Sequence, residues 1–369
     1  MTSPNTPYWV FIGTYTEAAR AAGQPSEGIY VYRMDPADGT LTYVGSGDPG
    51  PNPSFLAVHP SGRFLYAVNE VGEVNGQRGG GVSAFAFDPA TGQLTLLNQE
   101  NAHGSISCHI TVDAAGKFAL AANYGSGDVL VLPINPDGTL RSASHIVDHV
   151  SLVPGAEPNT SRAHSILLDP GQHYALAADL GLDRIMIYRY DGVNGKLNLN
   201  LNQPWVQAVK GAGPRHFDFH PNGRYVYLIN ELNATVTALA YDSVDGTLTE
   251  LQTLSALPAG YEGPKSCADI HVSPDGRFLY GSNRGHDSLV IYAIDPASGL
   301  LTLVGHTSTQ GRTPRNFSLD PTGTFLFAAN QDSNTIVTFR RDAATGQLTP
   351  TGQVITVPSP VCLKFLAVA

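Results

Sequence analysis

The chain has 369 residues, 42% of them hydrophobic and only 14% charged, and carries a net charge of −10. That charge argues against nucleic acid or an anionic membrane as a partner, and there is no run of the ~20 apolar residues needed to cross a bilayer. Charged residues fall well below the usual share, while 39 Gly and 26 Pro favour many short strands joined by tight turns.

In chain order, the N-terminal stretch "MTSPNTPYWVFIGTYT" has no basic or apolar leader region before its first strand, so a cytoplasmic location is expected. Two repeated units then alternate. The first is a turn in which Asp or Asn opens and Gly takes the position needing positive φ: "DPADGTL" at 35, "DPATGQL" at 88, "NPDGTL" at 135, "DGVNGKL" at 191, "DSVDGTL" at 242, "DPASGLL" at 295 and "DAATGQL" at 342. The second reads strand, Pro/Gly turn, strand: "LAVHPSGRFLYAVNE", "ITVDAAGKFALAANY", "ILLDPGQHYALAADL", "FDFHPNGRYVYLINE", "IHVSPDGRFLYGSNR" and "FSLDPTGTFLFAANQ". Its turn residue falls at 60, 114, 170, 221, 274 and 321, giving spacings of 54, 56, 51, 53 and 47. A period near 50 with four strands is that of a β-propeller, and seven outer turns mean seven blades. The chain ends in "SPVCLKFLAVA", which resembles the missing first strand, while "YWVFIGTYT" resembles its partner. The expectation is an all-β protein, one domain over 1–369, closed by pairing its two ends in one blade.

The three cysteines, Cys108, Cys267 and Cys362, are far apart and lack zinc spacing, and read as buried free thiols. No metal and no cofactor is expected. Nothing in the sequence specifies an oligomeric state.

Because the two inner strands of a blade are antiparallel, the start of the first and the end of the second share one end of the blade. Aligned on the turn, the starts hold Ser54, Cys108, His164, Arg215, Ala268 and Arg315, and the next position Phe55, His109, Ser165, His216, Asp269 and Asn316. The ends hold Asn69, Asn123, Asp179, Asn230, Asn283 and Asn330, followed by Glu70, Tyr124, Leu180, Glu231, Arg284 and Gln331. The Asn/Asp column recurs in every unit and reads as turn capping; the rival reading is a ring of oxygen ligands for a hard cation. His164, Arg215, Glu231 and Arg284 break the repeat in three consecutive blades and converge on one mouth. Arg215 and Glu231 also fit an ion pair tying one hairpin together, and His164 a satisfied interior histidine. Arginines gathered near an axis repel, and an anionic ligand resolves that cost.

At these residues the chain resembles the seven-bladed propeller lactonases, a family that includes the propeller type of 6-phosphogluconolactonase and the fungal 3-carboxy-cis,cis-muconate lactonizing enzyme. The resemblance spans the chain and rests on "IGTYT" at 12, "HPSGRFLYAVNE" at 59, "ADLGLDRI" at 178, "GAGPRHFDFHPNGRYVYLINEL" at 211 and "SNRGHDSL" at 282. It implies a catalytic set of His164, Arg215, Glu231 and Arg284, and a small-molecule lactone carrying an anionic group as partner, with no nucleic acid and no membrane involved.

Lactone hydrolysis needs an activated water and an oxyanion stabiliser. His164 or Glu231 can serve as base, with His164 favoured because an imidazole sits near the right pKa; Glu231, beside Arg215, is expected to stay ionised. Arg215 and Arg284 would hold the oxyanion or the substrate's anionic group. His216, His109, Arg162 and Lys265 are further substrate-binding candidates. The Gly-rich "VGEVNGQRGGG" lacks phosphate-loop spacing and reads as an ordinary loop. Other readings are a muconate-type cycloisomerase, a lactonase for an unphosphorylated sugar, a calcium-dependent lactonase using the Asn column, and a non-catalytic binding propeller. The Trp-Asp signatures of scaffold repeats are absent.

Overall fold

In this computed structural model the described residues are 7–48, 50–74 and 76–368. The leader reading of the N-terminus falls in part on residues 1–6, outside them.

Each inner unit forms an antiparallel hairpin, and each Asp/Asn-Gly turn joins the two outer strands of the same blade. Among the described residues this gives seven radial sheets, a seven-bladed β-propeller. The innermost strands are Pro53–Val58, Ser107–Val112, Ala163–Leu168, Pro214–Phe219, Cys267–Val272, Pro314–Leu319 and Pro360–Ala367, for blades 1 to 7. In blade 7 the strand Pro360–Ala367 pairs Tyr8–Thr14, with Tyr8 opposite Ala367 and Thr14 opposite Pro360. Among the described residues helix is confined to Thr16–Ala21, His149–Leu152 and the 3-10 turn Gln331–Ser333. In blade 3 the outer edge is interrupted: Lys196–Leu199 and Trp205–Gln207 both pair Arg184–Asp191. Among the described residues no helix is long and apolar enough to cross a membrane.

The second strand of each blade is buried along its whole length, for example Phe64–Asn69 and Tyr225–Asn230. Both its faces meet a neighbouring blade, which is why these strands read as continuous apolar runs rather than as an alternation. The outer turn glycine has two duties. Gly246 has φ 66°, and a Cβ there would fall inside van der Waals contact with the Tyr174 ring of blade 3. The same glycine-on-aromatic contact recurs around the ring. It includes both sides of blade 7, through Gly39 on Phe325 and Gly92 on Trp9. Blades are thus docked by one repeated contact, which accounts for the turn motif. Gly246→Ala is expected to lower stability by about 2–3 kcal/mol. Gly223→Ala, with φ 69° and nothing within 4 Å of its Cβ, should cost only about 1 kcal/mol of backbone strain. Equal urea midpoints for the two variants would refute the docking role.

Candidate active site

All seven blades bring the start of their first strand and the end of their second to one mouth of the axis. The inner strands carry a register shift at that point, as between Pro214 and His216 in blade 4. A regular strand would turn Arg215 and His216 to opposite faces. The bulge lets both approach the axis: Arg215 reaches the blade 5 carbonyl of Ala268, and the ring of His216 meets those of Phe55, His109 and His164.

Glu231 sits between two guanidiniums. Arg215 Nε donates to Glu231 Oε2 at 2.9 Å, and Arg284 Nη2 lies 2.9 Å from Oε1. Arg284 Nη2 also donates to the Cys267 carbonyl at 3.0 Å, while its Nε is buried without a partner. Arg215 is 2% exposed, so its charge depends on these contacts. Burial pushes the Glu231 carboxyl up, but Arg215, Arg284 and Arg315 outweigh it and hold the group below its ordinary value. Burial and the repulsion of Arg215, against the attraction of Glu231, bring Arg284 down to about 10. At neutral pH the trio is two cations clamped on one anion.

His164 is buried beside the clamp, its ring 5.5 Å from that of Tyr124 and 5.2 Å from that of His216. Burial, then Arg215, push its pKa well below 6.5. The imidazole is therefore neutral, able to accept a proton, and a weaker base than an exposed histidine. Cys108 Sγ lies 3.9 Å from His164 Nδ1, which invites a Cys–His nucleophile reading. Burial raises the thiol far above its normal pKa, and it donates to the His164 carbonyl at 3.3 Å, so it stays protonated and structural. Cys267 and Cys362 are also free and buried.

One layer below the mouth, His216 Nδ1 faces Asp269 Oδ1 at 2.8 Å. Burial and Arg215 bring His216 down to about 4 despite Asp269. The neutral ring thus carries its proton on Nδ1, and its Nε2 is buried without a partner. Asp269 also accepts from Asn316, whose Oδ1 takes the Leu363 N–H at 2.8 Å, and it lies 3.0 Å from His271 Nε2. This network laces blades 4 to 7 together under the site.

Of the substrate-binding candidates, His109 and His216 lie in this floor. The His109 Nδ1 accepts weakly from the Ile166 N–H at 3.4 Å, and its ring stacks 4.4 Å from Phe55. Arg162 is at the mouth, its guanidinium 5.9 Å from the Tyr124 ring centre. Lys265 is exposed on the loop before blade 5, whose Ser266 carbonyl accepts from Arg284 N. The Asn/Asp column caps loops: Asn123, Asn283 and Asn330 donate to the carbonyls of Ala102, Ala256 and Thr309. Asp179 accepts from the Arg162, Gly181 and Leu182 amides and pairs with His149, fixing the segment that presents His164. The oxygens of Asn69, Asn123 and Asn283, the atoms a cation would take, accept from Ser83, Ser107 and Cys267, while those of Asn230 and Asn330 are buried without a partner. The Gly-rich loop forms a small hairpin, Glu73–Val74 with Gln77–Arg78.

Sequence reading passed over a second cluster on the other side of the mouth. Tyr15 donates to Glu70 Oε2 at 2.7 Å; Arg315 Nη2 is 3.8 Å from Glu70 Oε1 and stacks 5.0 Å from the Tyr15 ring. A narrow cavity under it is lined by Ser54, Glu70, Cys108, Arg215, His216 and Arg315, among others. A cavity between blades 3 and 4, lined by Ile185, Val206, Leu228, Thr237 and Glu250, contains no Arg or His.

The chain belongs to a lactonase family of this fold: the model described as Lactonase, 7-bladed beta-propeller, matches residues 9–365 of this chain. It is 37% identical over 362 residues to a Bacillus subtilis (strain 168) protein named 6-phosphogluconolactonase, spanning 98% of this chain and 99% of that one. A 6-phosphogluconolactonase of Formosa agariphila is 37% identical over 318 residues, 84% of this chain and 86% of the relative. Among solved structures, the Pseudomonas aeruginosa periplasmic gluconolactonase, PpgL, superposes with a TM-score of 0.89 at 36% identity, covering 99% of this chain and 100% of that one.

Proposed function

We propose that this chain hydrolyses 6-phosphogluconolactone to 6-phosphogluconate, as a step of carbohydrate metabolism. The observation that carries the reading is the Arg215–Glu231–Arg284 clamp beside a buried neutral His164. Water gives a proton to His164 as its oxygen attacks the lactone carbonyl. The carbonyl π pair moves onto oxygen, where free donors of Arg215 and Arg284 meet the oxyanion. The intermediate collapses, the ring C–O bond breaks, and His164 returns the proton to the departing ring oxygen. Glu231 stays ionised and orients the two guanidiniums.

Arg215→Ala and Arg284→Ala are each expected to lower kcat/KM on 6-phosphogluconolactone by about 10²-fold or more. If both variants fold and keep the wild-type rate, this site is wrong. The similarity to a gluconolactonase keeps one second reading, an unphosphorylated sugar lactone; comparing wild-type kcat/KM on the two lactones decides between them. The proposal includes a cytoplasmic location, where phosphorylated sugars are retained. Recovery of the protein only in a periplasmic fraction would contradict it.

A further inference from the structure

Resting on that reading, we propose that Arg315, backed by Ser54, is the anchor for the phosphate of the substrate, on the side of the mouth opposite the reacting carbonyl. The argument starts from what each arginine has left to give. Arg215 spends Nε on Glu231 and Nη1 on the Ala268 carbonyl. Arg284 spends Nη2 on Glu231 and the Cys267 carbonyl. The Arg315 side chain makes no hydrogen bond among the described residues. Its one carboxylate contact, to Glu70 Oε1, is long at 3.8 Å, and the other oxygen, Oε2, is taken by Tyr15. Its side chain is 18% exposed, and none of its nitrogens is among the buried, unpartnered atoms. The fork is held in place by the Tyr15 ring beneath it, with its donors open to the mouth.

Two further observations point to a ligand. Ser54 Oγ and His216 Nε2 are buried, unpartnered and belong to residues lining the cavity under Arg315; Ser54 is 3% and His216 6% exposed. Polar atoms buried without partners are costly, and a water or ligand oxygen at this point relieves the cost. The mouth also sets the three guanidiniums of its two clusters, Arg215, Arg284 and Arg315, against two carboxylates, Glu70 and Glu231, with His164 neutral and Arg162 a further cation beside Tyr124. It therefore carries an uncompensated positive charge, suited to a phosphomonoester. The two clusters come from different blades: His164, the clamp and the oxyanion donors from blades 3 to 5; Arg315, Glu70 and Tyr15 from blades 6, 1 and 7. A sugar lactone with its carbonyl at one end and its phosphate at the other spans the axis between them, and Glu70 is placed to accept from a ring hydroxyl. Binding at the remote end then holds the carbonyl against His164.

The test compares wild type, Arg315→Gln and Arg315→Lys on 6-phosphogluconolactone and on glucono-δ-lactone. In Arg315→Gln the ratio of kcat/KM for the phosphorylated over the unphosphorylated substrate should fall tenfold or more, chiefly through KM; Arg315→Lys should recover part of it. A ratio within twofold of wild type, or equal losses on both substrates, overturns the proposal. A second measurement needs no turnover. 6-Phosphogluconate should raise the wild-type Tm more than gluconate does, and that difference should vanish in Arg315→Gln and persist in part in Arg315→Lys. Persistence of the full difference in Arg315→Gln overturns the anchor even if wild type hydrolyses neither lactone, an outcome that sinks the functional reading separately. If Arg315→Gln does not fold, Arg315→Lys and Ser54→Ala replace it: a lowered ratio and a smaller Tm difference in both support the anchor, and wild-type values in both overturn it.

Discussion

Glu231→Gln is expected to damage stability and activity together. The carboxylate lies between Arg215 and Arg284, at 2.9 Å from each. Its neutral replacement leaves two largely buried guanidiniums facing one another, and such an uncompensated charge costs about 3 kcal/mol. The sign of the pH dependence follows from the direction of the shift. Glu231 is held below its ordinary value by Arg215 and Arg284 despite its burial. Its stabilisation is therefore complete above the unfolded-state pKa, about 4.3, and is lost as pH falls through the lower folded-state value. The stability gap between wild type and Glu231→Gln should be widest near neutrality and narrow below about pH 4. An anion should substitute for the missing charge: inorganic phosphate should raise the Tm of the variant more than that of wild type. With the arginines misaligned, kcat/KM should fall by about 10²–10³. A variant with wild-type Tm and unchanged phosphate response would show that the clamp is not an electrostatic unit.

This outcome depends on the hairpin of blade 4, and that part of the molecule was legible in sequence. The turn period fixed how many blades there are. Strand antiparallelism placed Arg215 and Glu231 at one end, and the three-blade run of irregular residues located the clamp. What the pattern concealed has physical causes. Period-2 reasoning separates Arg215 from His216, whereas the bulge at their junction brings both to the axis, one above the other. That is why His109 and His216, read as substrate-binding, are found in the floor.

Tyr15 escaped because its blade is assembled from both ends of the chain, so no turn proline precedes it to align on. The pairing of Thr14 with Pro360 matches that of Asn230 with Pro214, and it puts Tyr15 in the column of Glu70 and Glu231. Arg315 stood in its column from the start. It looked isolated because its partners, Glu70 and Tyr15, lie across the seam of the ring. The Asp269 network was hidden for a different reason: His216, Asp269, Asn316 and Leu363 contribute one residue per blade, at sequence separations that no local motif encodes.

His164→Ala is the second large effect, and its pH profile separates the two base assignments. General-base catalysis contributes about 10²–10⁴-fold, and kcat should fall within that range. In wild type the imidazole must be neutral to take the proton from water. Burial and Arg215 hold its pKa well below 6.5 in the free enzyme. The acid limb of kcat/KM, which reports the free enzyme, should therefore lie below pH 6.5, with a plateau above it. A phosphate bound at Arg315 offsets one of the cations that depress the His164 ring, which favours the imidazolium. The limb of kcat, which reports the complex, should accordingly lie at higher pH than that of kcat/KM. In His164→Ala both limbs should disappear over this range, leaving a low activity set by the oxyanion donors alone. If the limb survives the substitution and lies below pH ~4.5, the titrating base is a carboxylate. Glu231 then takes the proton, and His164 only shapes the wall of the site.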